Sequence, residues 1–299
     1  MRGILIVLVA TTVGIWPAEV RAQRQMQFFA GFVDPFGDAI TDVLTEEVHV
    51  LEDGVEGRVV RMEPVDWPIK VTILVDNGVG MVDHLLQIRN GVRGLVEALP
   101  EGVEVSMLTT APQPRWLVRP TVDRDALLEG LHRITPDRSS PRLVEALDEA
   151  TERIAKEVGN FFPVVIVLGS TTAEDGFVPR QRIERMLRRL YERAATVHVV
   201  MLTTSGRAAG QVSGAFQTGV GSAVTQLTGG RYEALAAASR IATLLPEIGE
   251  QVSVSHTRQS QQYRVIFERP NGLSGPLGSI TVAVENELRV HVSLDGHLP

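Results

Sequence analysis

Apolar residues along the chain recur with two different periods, and the change of period divides the chain into three parts. Between residues 67 and 254, runs rich in Val, Ile and Leu alternate with stretches whose apolar residues recur at helical spacing. On either side of this part, short strand-like runs are separated only by turns. Alternating strands and long helices are typical of a mostly parallel central sheet with helices on both faces. We therefore predict an α/β core at 67–254, a β appendage at 23–66 and a β tail at 255–299.

Gly, Pro and Asn residues set the limits of the predicted core elements. The predicted core strands are residues 69–75, 103–108, 116–118, 162–168, 197–202 and 231–233, of which 116–118 is expected to be an antiparallel edge strand. The predicted helices are residues 81–99, 124–134, 143–158, 180–194, 223–227 and 236–252. Pro246 is expected to kink or split the last helix, and the Gly-rich segment 206–221 is predicted to be a mobile loop.

The two flanking parts are predicted to consist of strands that pair with each other beside the core. The N-terminal part contains a hairpin-type turn at Glu52-Asp53-Gly54. The predicted flanking strands are residues 27–33, 47–51 and 57–62 in the appendage, and 263–267, 279–284 and 288–293 in the tail.

The first 22 residues have the layout of a secretory signal peptide. Arg2 provides a positive charge, residues 3–16 are apolar, and Val20 and Ala22 are small residues that flank a cleavage point after Ala22. The apolar run is shorter than the ~20 residues that a membrane-spanning helix needs. We therefore expect export to the periplasm or the exterior, and an uncleaved N-terminal membrane anchor is the alternative.

Composition narrows the chemistry that the chain can perform. The chain has no cysteine, which excludes disulfides, zinc–thiolate sites and thiol catalysis. Its formal net charge of −7 disfavours a nucleic-acid partner, because phosphate backbones would be repelled on average. The cluster of arginines within residues 180–189 is interpreted as the solvated face of an amphipathic helix.

Three polar loops are expected to meet at the carboxyl ends of the core strands, where open α/β sheets bind their ligands. They contain eight candidate partner-binding residues. These are Asp76, Asn77, Gly78 and Gly80 after the first core strand, Ser139 and Ser140 before the helix at 143, and Ser170 and Thr171 after the strand at 162–168.

These loops carry a resemblance to a known family. The segment VTILVDNGVGM resembles the first loop of a von Willebrand factor A domain, where a strand ends in Asp-x-Ser-x-Ser. The segments RSSPRLVEAL and VVIVLGSTTAEDG resemble its second and third loops. The flanks, with the EDG hairpin and the tail QYRVIFERPNG, are similar to the VWFA-related family described from acidobacteria. The resemblance implies a Rossmann-like von Willebrand A fold and an exported protein-binding function.

The metal-binding pattern of that family is degraded in this chain. Intact A domains hold Mg²⁺ or another divalent ion through two serines, a threonine and acidic groups. Here glycines occupy both serine positions, Gly78 and Gly80, and Ser170 stands where the third-loop aspartate is expected. One carboxylate is poor anchorage for a hard dication. We therefore predict no metal or other cofactor, with Asp76, Ser140 and Asp175 as the weak candidates for Mg²⁺. Asp76 is also interpreted as a helix cap or turn brace.

No catalytic site is indicated. The seven histidines are scattered, no Gly-x-Ser-x-Gly nucleophile motif occurs, and no phosphate-loop motif follows Gly80. The sequence therefore predicts a non-enzymatic module that binds an unknown protein partner outside the cytoplasm, with no membrane span in the mature chain. The alternatives are a metal-dependent adhesive A domain with unconventional ligands, and an extracytoplasmic hydrolase with an unrecognised site.

Overall fold

The computed structural model describes residues 25–174, 178–204, 215–273, 276–284 and 287–297. The predicted signal segment 1–22 and the candidate Asp175 lie outside these residues. The strands are β1 (Gln25–Val33), β2 (Ala39–Ile40), β3 (Val48–Glu52), β4 (Val55–Pro64), β5 (Ile69–Val75), β6 (Glu104–Thr109), β7 (Arg115–Thr121), β8 (Phe162–Ser170), β9 (Thr196–Leu202), β10 (Tyr232–Leu235), β11 (Gln262–Glu268), β12 (Ile280–Val284) and β13 (Arg289–Ser293). The helices are α1 (Leu85–Ala98), α2 (Arg124–His132), α3 (Leu143–Lys156), α4 (Arg180–Glu192), α5 (Ala215–Thr228) and α6 (Ile241–Gln259).

The predicted core is a six-stranded sheet in the order β10-β9-β8-β5-β6-β7. All neighbouring pairs are parallel except β6–β7, so the expectation of an antiparallel edge strand is confirmed. Side chains of β5 alternate between the two faces. Ile73 and Val75 pack with residues of α1, α2 and α6, and Leu74 packs with residues of α3, α4 and α5. The β-branched runs are therefore buried on both faces, as parallel strands require.

The two flanking parts form a second sheet, in which every pairing is antiparallel. Its strand order is β12-β3-β4-β11-β1-β13, and β2 pairs with β1. The prediction that the two ends of the chain pair with each other is confirmed, because β11 lies between β1 and β4. The chain as a whole is not built on one mostly parallel sheet, because the additions form a sheet of seven strands with its own core around Phe28, Phe32 and Phe267.

The predicted EDG hairpin turn is confirmed and fastens the second sheet. Asp53 and Gly54 have φ values of +51° and +80°, as the tight turn between β3 and β4 requires. Glu52 is fully buried, and its carboxylate accepts hydrogen bonds from the Arg269 guanidinium and from the backbone N–H of Gly278 at 2.9 Å. Asp53 accepts from the N–H of Ser279 at 2.9 Å. The hairpin is thereby joined to the segment that leads into β12.

Three helix predictions need correction. The helix predicted at 81–99 begins with a 3-10 turn, Val82–His84, before α1. Residues 215–221 of the predicted mobile loop are helical, because α5 begins at Ala215; residues 206–214 lie outside the described part of the chain. The helix predicted at 236–252 is α6, which runs to Gln259, so the predicted boundary at 254/255 falls within it.

Pro246 does not split α6. The helix packs closely on α1 through glycines, and a Cβ at Gly94 would lie 2.6 Å from the Pro246 ring. Tight packing of this kind offsets the N–H that proline lacks. Among the described residues, no helix is long and apolar enough to cross a membrane.

Candidate functional site

The three predicted loops do meet at the carboxyl ends of β5 and β8. We call residues 76–80, 137–140 and 169–174 the loop cluster. The backbone N–H of Val79 donates to the carbonyl of Ser139 at 2.9 Å, and that of Asp137 donates to the carbonyl of Asn77 at 2.8 Å. These bonds join the first and second loops, and Asp76 joins the first loop to the third.

Asp76 is the bridge between β5 and β8, and its side chain is fully buried. One carboxylate oxygen accepts from the N–H of Gly78 at 2.7 Å. The other accepts from the N–H of Ser170 at 3.1 Å and from its hydroxyl at 2.7 Å. Burial raises the pKa of Asp76, and these hydrogen bonds from Ser170 and Gly78 offset part of the rise. The carboxylate therefore acts as a brace that accepts three hydrogen bonds from the protein's own donors.

Asn77 and Gly78 are also internal parts of the cluster. The Asn77 side chain is 4% exposed; its amide donates to the carbonyl of Thr135 at 3.0 Å and accepts from the N–H of Ala111 at 3.0 Å. A Cβ at Gly78 would lie 3.0 Å from both the Ser139 carbonyl oxygen and a carboxylate oxygen of Asp76. Glycine at this position lets the second loop approach the first.

Gly80 is required because the neighbouring hydroxyls fill the space beside it. A Cβ at this position would lie 2.0 Å from Thr172 Oγ1 and 2.6 Å from Ser170 Oγ. A divalent cation needs several oxygen ligands, usually with one or two carboxylates free to turn toward it. Here the Asp76 carboxylate is buried and already accepts three hydrogen bonds, and a serine at position 80 would overlap Thr172. The residues present at this point do not fit a divalent ion.

The remaining candidates lie nearer the surface. The N–H and the hydroxyl of Ser139 both donate to Asp137, which lowers the pKa of that carboxyl. The hydroxyl of Thr171 accepts from the N–H of Thr204 at 3.1 Å. Ser140 is partly exposed, as are Ser139, Gly80 and Thr171, whereas Asp76, Asn77, Gly78 and Ser170 are buried. The eight predicted residues therefore separate into a buried support and a partly exposed rim.

Sequence reasoning gave no role to Val79, and considered Glu174 only as a side chain that could help to hold a metal ion. Val79 is 49% exposed, whereas the residues on either side of it are less exposed. Glu174 accepts from the N–H of Val144 with both carboxylate oxygens, at 3.2 Å, and so caps α3. Burial raises the pKa of Glu174 to about 7, although bonds from the N–H groups of Val144 and Glu145 oppose the rise. The sequence did carry one signal for this cap, which is that no Ser, Thr, Asp or Asn directly precedes Leu143. A buried helix end without a local cap needs a hydrogen-bond partner from elsewhere in the chain.

The histidines do not supply a catalytic base to this cluster. His198 is buried near the start of β9, at the opposite end of the sheet from the loops. Ser139 and Ser140 have no histidine among their hydrogen-bond partners in the described residues. Within the same residues, no group of three or more His, Asp or Glu side chains is arranged to hold a metal.

Comparison with known proteins supports the fold. No family model matches the chain, and no curated protein matches it. Among solved structures, the von Willebrand factor type A protein from Catenulispora acidiphila gives a TM-score of 0.51 at 10% identity, over 87% of this chain and 71% of that chain. BatB from Bacteroides thetaiotaomicron gives 0.48 at 15% identity, over 62% of this chain and 100% of that chain. The vWF domain of the type V pili tip protein Mfa5 from Porphyromonas gingivalis gives 0.45 at 11% identity, over 64% and 96%. At 10% identity the likeness to the Catenulispora acidiphila protein shows the fold alone, which is that of a von Willebrand A domain. The other two likenesses, with TM-scores below 0.5, carry no argument.

Proposed function

We propose that this chain is an exported, non-enzymatic protein-binding module of the von Willebrand A type, and that its loop cluster binds the partner without a metal ion. The observation that carries the proposal is the packing at Gly80. The hydroxyls of Ser170 and Thr172 lie where the side chain of a second ligand serine would project. Binding through this cluster therefore rests on surface complementarity.

The geometry of the cluster supports such a surface. Val79 offers an apolar contact at the tip, and Ser140, Thr171 and Thr172 offer partly exposed hydroxyls around it. Beneath them, Asp76 and Asn77 fix the loops through five hydrogen bonds. A surface that is held in one conformation before binding loses less entropy when its partner docks.

The N-terminal segment supports the location. Residues 1–22 have the order of charge, apolar run and small residues that export signals share. The absence of cysteine suits an oxidising compartment, because no stray thiol can mispair there. We propose that the signal is removed after Ala22 and that the mature chain acts in the periplasm or outside the cell.

The partner-binding role is tested by site-specific photo-crosslinking, which the cysteine-free chain makes simple. Val79→Cys carries a benzophenone maleimide in the loop cluster, and Val158→Cys carries the same probe at a 94% exposed position after α3. We expect discrete crosslinked species from the cell envelope with the first probe and not with the second, in EDTA as well as in Mg²⁺. Equal labelling from both positions would overturn the role of the loops. Crosslinks that require Mg²⁺ would favour the metal-dependent alternative.

The absence of a metal is tested by titrating the protein with Mg²⁺ and Mn²⁺ in a calorimeter, with Asp76→Ala as the control. We expect no heat of binding and no change in melting temperature. Micromolar binding that disappears in Asp76→Ala would show that the cluster holds an ion after all. The partner should then be sought among proteins that present a carboxylate to that ion.

A further inference from the structure

A cavity of about 310 Å³ lies at the end of the core sheet opposite the loop cluster. Its wall contains the first residues of β5, β8 and β9 and the last turns of α4, α5 and α6. Asp295 and His297, which follow β13, complete the wall. This volume is at the lower end of the range for small-molecule sites. The cavity therefore matches a ligand much smaller than a nucleotide.

His198 lines the cavity with one ring nitrogen unused. The residue is 3% exposed, and its Nδ1 accepts a hydrogen bond from the N–H of Arg231 at 3.2 Å. In the neutral ring the proton must then reside on Nε2. Burial, aided by the charge of Arg231, lowers the pKa of His198 to about 4, so the ring is neutral at pH 7. Among the described residues Nε2 has no partner, which leaves a buried N–H donor at the cavity wall.

Two further donors have no partner of their own in the described part of the chain. Gln259 is 8% exposed and lines the cavity, and its side-chain amide makes no hydrogen bond there. Arg258 lies beside it at the surface, without an ion pair. These groups all line the cavity, so a ligand that supplies acceptors would be favoured.

Two acceptors in the same wall already have donors within the chain. The Asp295 carboxylate accepts from the hydroxyl of Ser293 at 2.6 Å and from the N–H of His297 at 3.0 Å. The Thr196 hydroxyl is bonded to His297 Nε2 at 3.0 Å. The N–H of His198 and the positively charged Arg258 lie in the same lining, so the complementary ligand group is an acceptor with negative charge.

The rest of the wall is apolar. Ile69, Val164 and Val252 line the interior, and Leu227 and Tyr191 lie at the mouth with 43% and 68% of their surface exposed. Exposed large apolar side chains beside a cavity are suited to cover a hydrocarbon ligand.

We propose that this cavity binds a small monocarboxylate with a hydrocarbon chain. The carboxylate accepts from His198 Nε2, Gln259 and Arg258, and the chain lies along Ile69, Val164 and Val252. This site is separate from the loop cluster and does not depend on the proposed partner-binding function.

The test follows the seven histidine rings of the full-length protein by NMR, with hexanoate, butanoate and the neutral hexanamide as probes. The His198 signal is assigned by its loss in His198→Gln. We expect hexanoate to bind saturably and to raise the pKa of His198 by at least about one unit, because an adjacent carboxylate favours the charged ring. Each added CH₂ should tighten binding about fourfold, and hexanamide should leave the pKa unchanged.

Two pairs of variants make the assignment specific. Ser255→Phe closes the cavity from an exposed position of α6 and should abolish binding, whereas Val254→Phe adds the same ring outside the cavity and should not. Arg258→Gln should weaken binding about threefold, and Arg93→Gln, on α1, should have no effect. An unchanged His198 pKa at saturating hexanoate, or normal binding by Ser255→Phe, would overturn the proposal. Equal affinity for hexanoate and butanoate would mean that the hydrocarbon chain is not recognised, and that the bound carboxylate is an adventitious ion only.

Discussion

The loop cluster and the antiparallel sheet each bury an acidic side chain completely, but they neutralise it in different ways. In the sheet, Glu52 is paired with the Arg269 guanidinium, which lowers the pKa of Glu52. In the loop cluster, Asp76 has only neutral donors, and burial raises its pKa. The pKa of Glu174, in the same cluster, is also raised. Glu52 thus favours its charged form, whereas Asp76 and Glu174 carry charge at a cost.

The largest effect is expected when the sheet's ion pair is broken. Glu52→Gln leaves the buried guanidinium of Arg269 without its carboxylate, and removal of one partner from a buried pair costs about 3–5 kcal/mol. Urea unfolding measures this loss. The matched control is Glu63→Gln, which removes a partly exposed partner of Arg264 and should leave the midpoint unchanged. Equal effects of the two variants would mean that burial of the pair does not matter.

The next effect depends on pH. The pKa of Glu174 is about 7 in the folded protein, against 4.5 as its ordinary value. Its contribution to stability is therefore fully present below pH 4.5 and is lost as pH rises through 7. The loss amounts to at most about 3 kcal/mol, since one pKa unit corresponds to about 1.4 kcal/mol.

Glu174→Gln keeps the acceptor that caps α3 and removes the charge. We expect this variant to lose less stability than the wild type between pH 5 and pH 8 in chemical denaturation. Glu149→Gln removes a charge of α3 that is not among the causes of the Glu174 shift, and should retain the wild-type pH dependence. If Glu174→Gln lost as much stability between pH 5 and pH 8 as the wild type does, Glu174 would not be the group that causes the pH dependence.

A smaller effect is expected at Asp76. Asp76→Ala leaves the buried N–H groups of Gly78 and Ser170 without their acceptor, and we expect a loss of about 2 kcal/mol in the free energy of unfolding. Hydrogen exchange at those two amides should accelerate more than exchange elsewhere in β5 and β8. Unchanged protection at both amides would show that the carboxylate does not join the loops.

The smallest effect concerns the space beside Gly80. Gly80→Ala forces Thr172 to turn away and should cost about 1 kcal/mol. Gly80→Ala with Thr172→Ala should recover part of it, because Ser170 Oγ would still lie 2.6 Å from the new Cβ. Gly219→Ala is the matched control, because a Cβ there meets nothing within 4 Å. If the double variant were as unstable as Gly80→Ala alone, Thr172 would not be the obstacle. Thermal unfolding is sufficient for this comparison.

The sequence predicted the layers of this fold better than the chemistry of its sites. Runs such as 69–75 and 162–168 are recognisable because a strand buried on both faces must be apolar throughout. The α5 helix was missed over residues 215–221, because Gly219 and Gly221 resemble loop residues. In the fold, Gly221 lies where a Cβ would meet Val199 and Tyr232 at 3.2 and 3.1 Å, so glycine there permits close packing on β9 and β10.

The missed site features share one cause, which is contact between residues far apart in sequence. The three loops could be placed at one edge of the sheet because parallel strands end together. That Thr172 fills the space beside Gly80, or that Glu174 caps α3, depends on side chains more than 25 residues apart. The EDG turn was predictable from three adjacent residues, whereas the partner of Glu52 lies 217 residues later.

The pairing of the two chain ends also sets the order in which the molecule can fold. During synthesis β1 emerges before the core, whereas its neighbours β11 and β13 are made after the core. The parallel core between them has all its strands available earlier. Because ordering distant segments is slow, the core should fold while Phe28 and Phe32 still await their partners. A nascent chain of this design therefore presents an unpaired apolar strand until Val265 and Phe267 have been synthesised.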